Sequence, residues 1–326
     1  MAVLRTDGAP PTGDGPARHR VLLVSRDAEL DAVLARRRIA AHLSELRPVT
    51  LPTADPAATA PDHGEPVEVA LVCDDPTATG RLLGRGVPVV HLRSGHRPEP
   101  AADAAPVDAP PPGALCRVHR PGWLPGPWPP TAGTRPTGAL APARPARDRR
   151  RTGTLLLLSL WGVPADRADA YAAEVLRPLV RAAVRRTGSC EVVTDTRKGA
   201  VRDALGGLTG VRVGRAADAG VDPDALHARA DVFLTSPTLG ALTLAQARRA
   251  PLVFLPPLGA AQQDLAERVA RAVSVPVADN PDDPALWAPP GGPAADPWHD
   301  LDPAADDLRG AQRVARTLRQ LCLAPL

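Results

Sequence analysis

Residues 230–270 constrain the fold more than any other stretch. They read ADVFLTSPTLGALTLAQARRAPLVFLPPLGAAQQDLAERVA. An apolar run at 232–235 leads into a polar turn with one glycine at 236–240, and a helix pattern covers 241–249. A second apolar run at 252–255 ends in Pro256-Pro257, and another helix pattern begins near Ala260. This is the strand–loop–helix–strand–loop–helix grammar of a doubly wound α/β sheet. Ligands of such sheets bind at the carboxyl ends of the strands. Residues 236–246 and 258–264 are therefore where binding side chains are expected.

The same grammar recurs along the chain. Residues 21–24 form a short, fully apolar run, suited to a strand buried on both faces. Ser25 can cap the helix after it, with Asp27 and Glu29 in its first turn and Leu30, Val33, Leu34 and Ala41 on its apolar stripe. The turn reads Ser-Arg-Asp-Ala-Glu and holds no glycine, so no dinucleotide fingerprint is placed there. Residues 48–66 read as a loop. A strand at 67–72 ends at Cys73-Asp74-Asp75. Asp74 and Asp75 can serve as a general base or cap a helix from Thr77. A strand at 87–92 ends near His91, Arg93 and His96, where a histidine either acts on a ligand or takes a structural hydrogen bond. A short strand is expected at 115–119. Residues 121–152 are dense in Pro and Gly, carry Trp123 and Trp128, and read as an interdomain linker.

The second half starts again with a strand at 155–158, followed by Ser159-Leu160-Trp161-Gly162. A helix from about Asp166 aligns Ala168, Ala172, Val175, Leu179 and Ala183, and Pro178 interrupts it. Strands at 191–194 and 211–213 and a helix at 223–229 lead back to residues 230–270. Residues 280–302 form a Pro-rich connector. Asp302-Pro303 marks the start of a last helix, whose apolar face carries Leu308, Ala311, Ala315, Leu318 and Cys322.

Bulk properties narrow the function. The formal net charge is +3, and the one concentrated basic run, 144–151, lies in the Pro-rich segment. With no basic face interleaved with aromatics, nucleic acid is not the expected partner. Cys73, Cys116, Cys190 and Cys322 are scattered and form no C-x-x-C pair, which suits buried thiols in a reducing compartment. The N-terminus lacks the continuous apolar core of a signal peptide, and the run at 155–158 is far too short to span a bilayer. A cytoplasmic protein is expected.

Two half-chains of alternating strands and helices, joined by a proline-rich segment, imply two domains with a cleft between them. Residues 153–273 resemble the donor-binding half of GT-B glycosyltransferases, and in particular cytosylglucuronic acid synthase and its actinomycete relatives. The residues that carry the resemblance are Ser159-Leu160-Trp161-Gly162, Ser236-Pro237, Gly240-Ala-Leu-Thr243-Leu-Ala-Gln246, and Leu255-Pro256-Pro257 with Gln262. It implies two Rossmann-like doubly wound domains: a frayed tail at 1–18, an acceptor-side domain at 19–120, the linker at 121–152, and a donor-side domain at 153–326. The final helix either stays with the second domain or returns to the first.

The resemblance also implies a site. Gly240 and the amides at the start of its helix can cradle a diphosphate at the positive helix end. Ser236, Thr238 and Thr243 offer hydroxyls. Gln246 stands where the family pattern has a ribose-binding Glu, and a neutral amide binds a diol more weakly than a carboxylate does. Gln262, with Gln263 beside it, matches the glutamine that reaches the donor sugar, and Ser159, Trp161 and Gly162 match a loop facing the cleft. Base candidates at strand ends of the first domain are Asp27, Asp74, Asp75 and His91. No D-x-D pair is placed to hold a metal on the diphosphate, so a metal-independent reaction with a UDP- or CDP-linked co-substrate and no cofactor is expected. Three functions fit: sugar transfer to a small acceptor, as in nucleoside or other natural-product biosynthesis; a degenerate, nucleotide-binding partner of an active glycosyltransferase chain; and a nucleotide-sugar 2-epimerase-like enzyme.

Overall fold

The apolar runs become the inner strands of two separate parallel sheets. The fold is given by a computed structural model, which describes residues 19–52, 66–97, 113–121, 133–287, 296–302 and 304–323. The expected tail at 1–18, Trp123 and Trp128 lie outside the described residues.

The first domain starts with β1 (Arg20–Ser25), α1 (Leu30–Ala40) and β2 (Arg47–Pro52). It continues with β3 (Val69–Cys73), α2 (Pro76–Gly84), β4 (Val89–Leu92), β5 (Cys116–Arg120) and β6 (Thr134–Pro136). The strands are all parallel, in the order β2-β1-β3-β4-β5-β6. The chain order reverses between β1 and β3, so a crevice opens at their carboxyl ends.

The second domain comprises β7 (Thr154–Leu158), α3 (Ala165–Tyr171), α4 (Arg177–Thr187), β8 (Cys190–Thr194) and α5 (Lys198–Ala204). After these come β9 (Val211–Arg215), α6 (Pro223–Arg229), β10 (Val232–Thr235), α7 (Leu239–Ala247), β11 (Val253–Phe254) and α8 (Ala260–Ala270). The order β11-β10-β7-β8-β9 places the equivalent crevice between β7 and β10. The last helix, α9 (Gly310–Leu323), lies against the first domain, where Ala311, Val314, Ala315 and Leu318 join the core formed by β1, β3 and β4.

Several elements differ from their sequence expectation, each for a local reason. Strand β2 occupies part of the stretch read as a loop; it is an edge strand, where Pro48 and Pro52 are tolerated. Strand β6 lies in the stretch read as a linker, so the first sheet extends past residue 120. Helix α1 starts at Leu30 with Glu29 at its N-cap, because Ser25 Oγ donates instead to Asp27. Pro178 breaks the long helix through a π turn at Ala172–Leu176, which accommodates its missing N–H and its ring. The last helix begins at Gly310 rather than at Asp302, whose carboxylate accepts from the Ala304 amide in a separate turn.

Helix α1 positions the two domains. A helix buried on one stripe is the rule for a surface element, but α1 buries Asp31, Arg36 and Arg38 together with its apolar residues. One side packs on its own sheet through Ala32, Ala35 and Ile39. The other sends Leu30, Val33 and Leu34 into a core shared with Phe233, Leu239, Ala241 and Leu242 of the second domain. Arg38 is 2% exposed. Its Nε and Nη2 bond both Asp224 oxygens at 3.0 and 2.7 Å, and its Nη1 donates to the carbonyls of Leu140 and Gly240 at 2.9 and 3.0 Å. A guanidinium can fill such a fork because its donors are planar and fixed. Arg37 adds bonds to the Val221 and Asp218 carbonyls.

Removing the guanidinium leaves two carbonyls and a carboxylate without their shared partner. Arg38→Ala is expected to cost about 3 kcal/mol and to split one urea transition into two as the domains uncouple. Fluorescence and circular dichroism followed on the same titration test this; superimposable single transitions at wild-type midpoint would contradict it.

Candidate active site

Both crevices open toward the junction that α1 makes. On the second domain, β7 ends at Leu158, and the turn after it is held by a ring of internal hydrogen bonds centred on Ser159. Its amide donates to Ser236 Oγ at 3.0 Å, its hydroxyl to Asp195 Oδ2 at 2.7 Å, and its carbonyl accepts from Gln262 Nε2 at 3.0 Å. Asp195 also accepts from the Leu160 and Thr196 amides at 2.9 and 2.7 Å. Burial raises the Asp195 carboxyl, while the bonds from Leu160 and Ser159 oppose that rise. Gln262 Oε1 accepts from the Leu258 amide at 3.1 Å, so this side chain ties the loop after β11 to the loop after β7.

Trp161 leaves this scaffold and is 43% exposed. The Arg26 guanidinium of the first domain lies 5.2 Å from the centre of its ring, a cation–π contact between the domains. Gly162 follows in a left-handed turn. Gln263 is exposed and donates to Glu267 along α8.

Helix α7 presents its amino end to α1. Thr238 is the N-cap, and its hydroxyl accepts from the Ala241 amide at 3.4 Å. The next two free amides, Leu239 and Gly240, donate to Asp31 of the first domain at 3.2 and 2.7 Å. Gly240 is required by this approach: a Cβ there would fall 2.7 Å from Leu34 Cδ1 and 2.8 Å from Asp31 Oδ1. Thr243 lies buried one turn on. It lines a small cavity of about 10 Å³ with Asp31, Arg38, Ser94, Leu140 and Gly240, at the lower limit of what admits one water. Gln246 is half-buried near the end of α7.

The first domain contributes an acidic wall. Glu29, Asp31 and Asp74 are 9%, 7% and 3% exposed. Asp74 follows β3 with φ at 57°, a left-handed conformation that turns its carboxylate onto Ser94, whose amide donates at 3.0 Å and whose hydroxyl also donates. Arg97 lies 3.4 Å from Glu29 and 3.6 Å from Asp74, and Arg26 lies 3.5 Å from Glu29. A Cβ on Gly95 would fall 2.6 Å from Glu29 Oε1, so the glycine makes room for this carboxylate. Burial pushes Glu29 up to about 8, helped by the Asp74 charge and opposed by Arg97. Burial also raises Asp74 against its Ser94 bond, and lifts Asp31 to about 6 against the Gly240 and Leu239 amides. With its pKa raised to about 8, chiefly by burial, Glu29 holds a proton near neutral pH.

Of the strand-end acids and histidine named from the sequence, Asp74 enters this cluster. Asp75 accepts from the Ala78 amide as the N-cap of α2. Asp27 accepts from Ser25 and lies 3.7 Å from Arg36. His91 shares a 2.8 Å hydrogen bond with Thr79 under α2, and burial lowers it to about 4. Sequence reasoning took Glu29 as a helix-start charge and did not single out Asp31, Arg97 or Asp195. The one usable signal for Asp195 was its place directly after the strand ending at Thr194. Across the junction His96 Nε2 sits 2.6 Å from Asp264 Oδ2 of α8. Among the described residues no group of three or more His, Cys, Asp or Glu is placed to hold a metal ion, and no helix is long and apolar enough to cross a membrane.

The S. aureus MnaA–UDP co-structure is similar over 93% of this chain and 96% of its own, at 12% identity and a TM-score of 0.50. Acinetobacter baumannii MurG aligns over 93% of this chain and 99% of its own at 11% identity, with a TM-score of 0.44. The spinosyn rhamnosyltransferase SpnG bound to spinosyn aglycone aligns over 93% and 96% at 15% identity, with a TM-score of 0.43. No curated protein matches the sequence. At such identities the likeness concerns the fold, and the fold is GT-B: two Rossmann-like domains facing one cleft. Residues 21–326 match the family described as CGA synthase-related protein, and the chain belongs to that family.

Proposed function

We propose that this protein transfers a sugar from a UDP- or CDP-linked donor to a small acceptor in the cleft between its domains. The observation that carries the reading is the placing of two buried carboxyls, Glu29 and Asp74, with Arg97 as their common cation, at the switch point of the first domain, beside Arg26 and Trp161. A carboxylate with a raised pKa is a better base toward a hydroxyl than an ordinary one. In the proposed reaction an acceptor oxygen attacks the anomeric carbon, the bond from that carbon to the phosphate oxygen breaks, and the nucleoside diphosphate leaves with the bonding electrons. The acceptor proton passes to the Glu29–Asp74 pair. The pair is supported on one side by Arg97 and on the other by the Ser94 bonds to Asp74. Trp161 offers an exposed ring face for a sugar or a base. Ser159, Ser236, Gln262 and Asp195 set the loop that carries Trp161, and in this reading they position it.

A second reading is favoured by one specific contact. Asp31 takes the α7 amides that a donor phosphate would use, and Gln246 replaces a carboxylate. Both suit a degenerate relative that binds a nucleotide or assists an active glycosyltransferase chain. The MnaA structure holds UDP, which makes UDP the natural first ligand for either reading.

Two predictions separate the readings and test the scaffold. With a panel of UDP- and CDP-sugars and nucleoside acceptors, the transfer rate should rise with pH toward about 8 as the Glu29–Asp74 pair loses its proton. Glu29→Gln should lose at least about a hundredfold in kcat, the usual scale of a general base. No transfer or donor hydrolysis across the panel, together with measurable UDP binding, would leave the degenerate reading in place. Asp195→Asn keeps the shape but puts an NH₂ group where one of its carboxylate oxygens accepts hydrogen bonds, and should lower stability by about 2 kcal/mol. It should also raise KM more than it lowers kcat, because the base pair is untouched. A KM equal to wild type with a fully stable fold would show that the loop does not depend on it.

A further inference from the structure

The basic run at 144–151 has no part in the reaction proposed above, yet the fold gives it a place. It enters the wall of a groove of about 830 Å³ at the domain junction, within the size range of small-molecule sites. The groove lies between the carboxyl half of α1, residues 142–148, α6 and the end of α7. None of Glu29, Asp74 and Trp161 lines it. Its charges do not balance. Asp224 is spent on the Arg38 fork, and Asp222 accepts from the Asp224 and Ala225 amides as the N-cap of α6. Asp148 is left to face four arginines, Arg37, Arg144, Arg229 and Arg248. Arg37 and Arg248 meet neutral acceptors only: the Val221 and Asp218 carbonyls for Arg37, and the Asp224 and Arg144 carbonyls with His227 Nδ1 for Arg248. Arg144 and Arg229 are exposed, and neither guanidinium has a hydrogen bond or ion pair among the described residues.

A half-buried guanidinium that meets carbonyls alone keeps its charge, and that charge is costly away from water unless an anion faces it. Burial lowers Arg37 and Arg248 from the usual guanidinium range. Arg147, between two lining residues, is brought down to about 10 by burial and by the Arg151 and Arg248 charges. We propose that this groove binds an oligophosphate, a short chain of phosphates either free or joined to a nucleoside. Three features select that chemistry. Guanidinium forks match phosphate oxygens. Four arginines on four separate segments call for several negative charges within one small ligand, which a single carboxylate does not supply. The lining holds no aromatic side chain to stack a base, so the phosphates carry the affinity. A ligand in the groove touches α1 of the first domain and α6 of the second together, and so bridges the junction. The proposal is independent of sugar transfer, because the groove shares none of the residues assigned to that reaction.

The experiment is calorimetric titration of the full chain with inorganic triphosphate and with UDP, comparing wild type with the double variant Arg144→Glu/Arg229→Glu. Both side chains are exposed and unbonded, so the variant should fold, and its circular dichroism melt checks this. Wild type should bind triphosphate, and the double variant at least about tenfold more weakly, the scale of losing hydrogen bonds between charged groups. A control, Arg149→Glu/Arg150→Glu, changes the net charge equally on exposed residues outside the lining and should bind as wild type does. Loss of triphosphate with UDP binding kept identifies the ligand as a free oligophosphate; loss of both identifies a nucleotide held by its phosphates. The site is overturned if wild type binds no triphosphate, if the folded double variant binds it as tightly, or if the control weakens binding to the same extent.

Discussion

The structure depends on one helix being buried between two sheets. Most helices of a doubly wound domain face a single sheet and leave their outer side to water. Helix α1 cannot, because its outer side carries Leu30, Val33 and Leu34 into the core of the second domain. That placement forces polar residues inside, and each must find a fixed partner. Arg38 finds Asp224 and two carbonyls; Asp31 finds two free amides at a helix start. The glycine at 240 follows from the same constraint, since any side chain there would strike α1. Gly240, read from sequence as part of a phosphate cradle, also gives a neighbouring helix the room to approach.

The acidic wall has the opposite energetic character. A carboxyl whose folded pKa is raised favours folding most below its unfolded value and loses that contribution as pH rises through the folded value. For Glu29 the window runs from 4.5 to about 8, so near neutral pH the chain keeps a proton there or gives up stability. The sign is the reverse of an ordinary salt-bridged acid. Arg97 and the Ser94 bonds soften the penalty without removing it, because Glu29 and Asp74 are both desolvated and both negative when ionised. Natural proteins tolerate such a cost mainly where a proton has to move.

Legibility in the sequence followed the range of the interactions. Short apolar runs at 21–24, 155–158 and 232–235 revealed the central strands because a strand buried on both faces must be apolar throughout. The edge strands β2 and β6 were not legible: one face meets water, their prolines argue against strand, and only the neighbour defines them. The motif order in the second half carried the family, and the match over residues 21–326 agrees with it. The site was legible as places more than as roles. Ser159, Ser236 and Gln262 do converge, but on one another, since the partner atoms are a carbonyl and an amide that no pattern names. Glu29 and Asp31 look in sequence like first-turn acids that complement a helix dipole. Asp31 is buried against the second domain, more than two hundred residues away for the Asp31–Gly240 contact, and Glu29 lies against Gly95 and Arg97 of its own domain; local pattern holds no record of either.

The two walls of the cleft then divide the work in a way that bears on activity. The second-domain wall is internally satisfied: its serines, Asp195 and Gln262 spend their hydrogen bonds on loop geometry, and Trp161 is what it offers outward. The first-domain wall holds two buried carboxyls and two arginines. A transferase needs both a place for a leaving diphosphate and a group for the acceptor proton. In the proposed reaction Glu29 and Asp74 supply the second. The α7 amides, which the sequence offered for the first, donate instead to Asp31 and are spent on the domain junction. Leu30, Val33 and Leu34, the Arg38 fork and the Asp31 bonds together hold α1 against the second domain, so the polar groups of that junction are matched to one another. What the cleft leaves unmatched is on its first-domain side, where Glu29 and Asp74 are buried with Arg97 as their common cation.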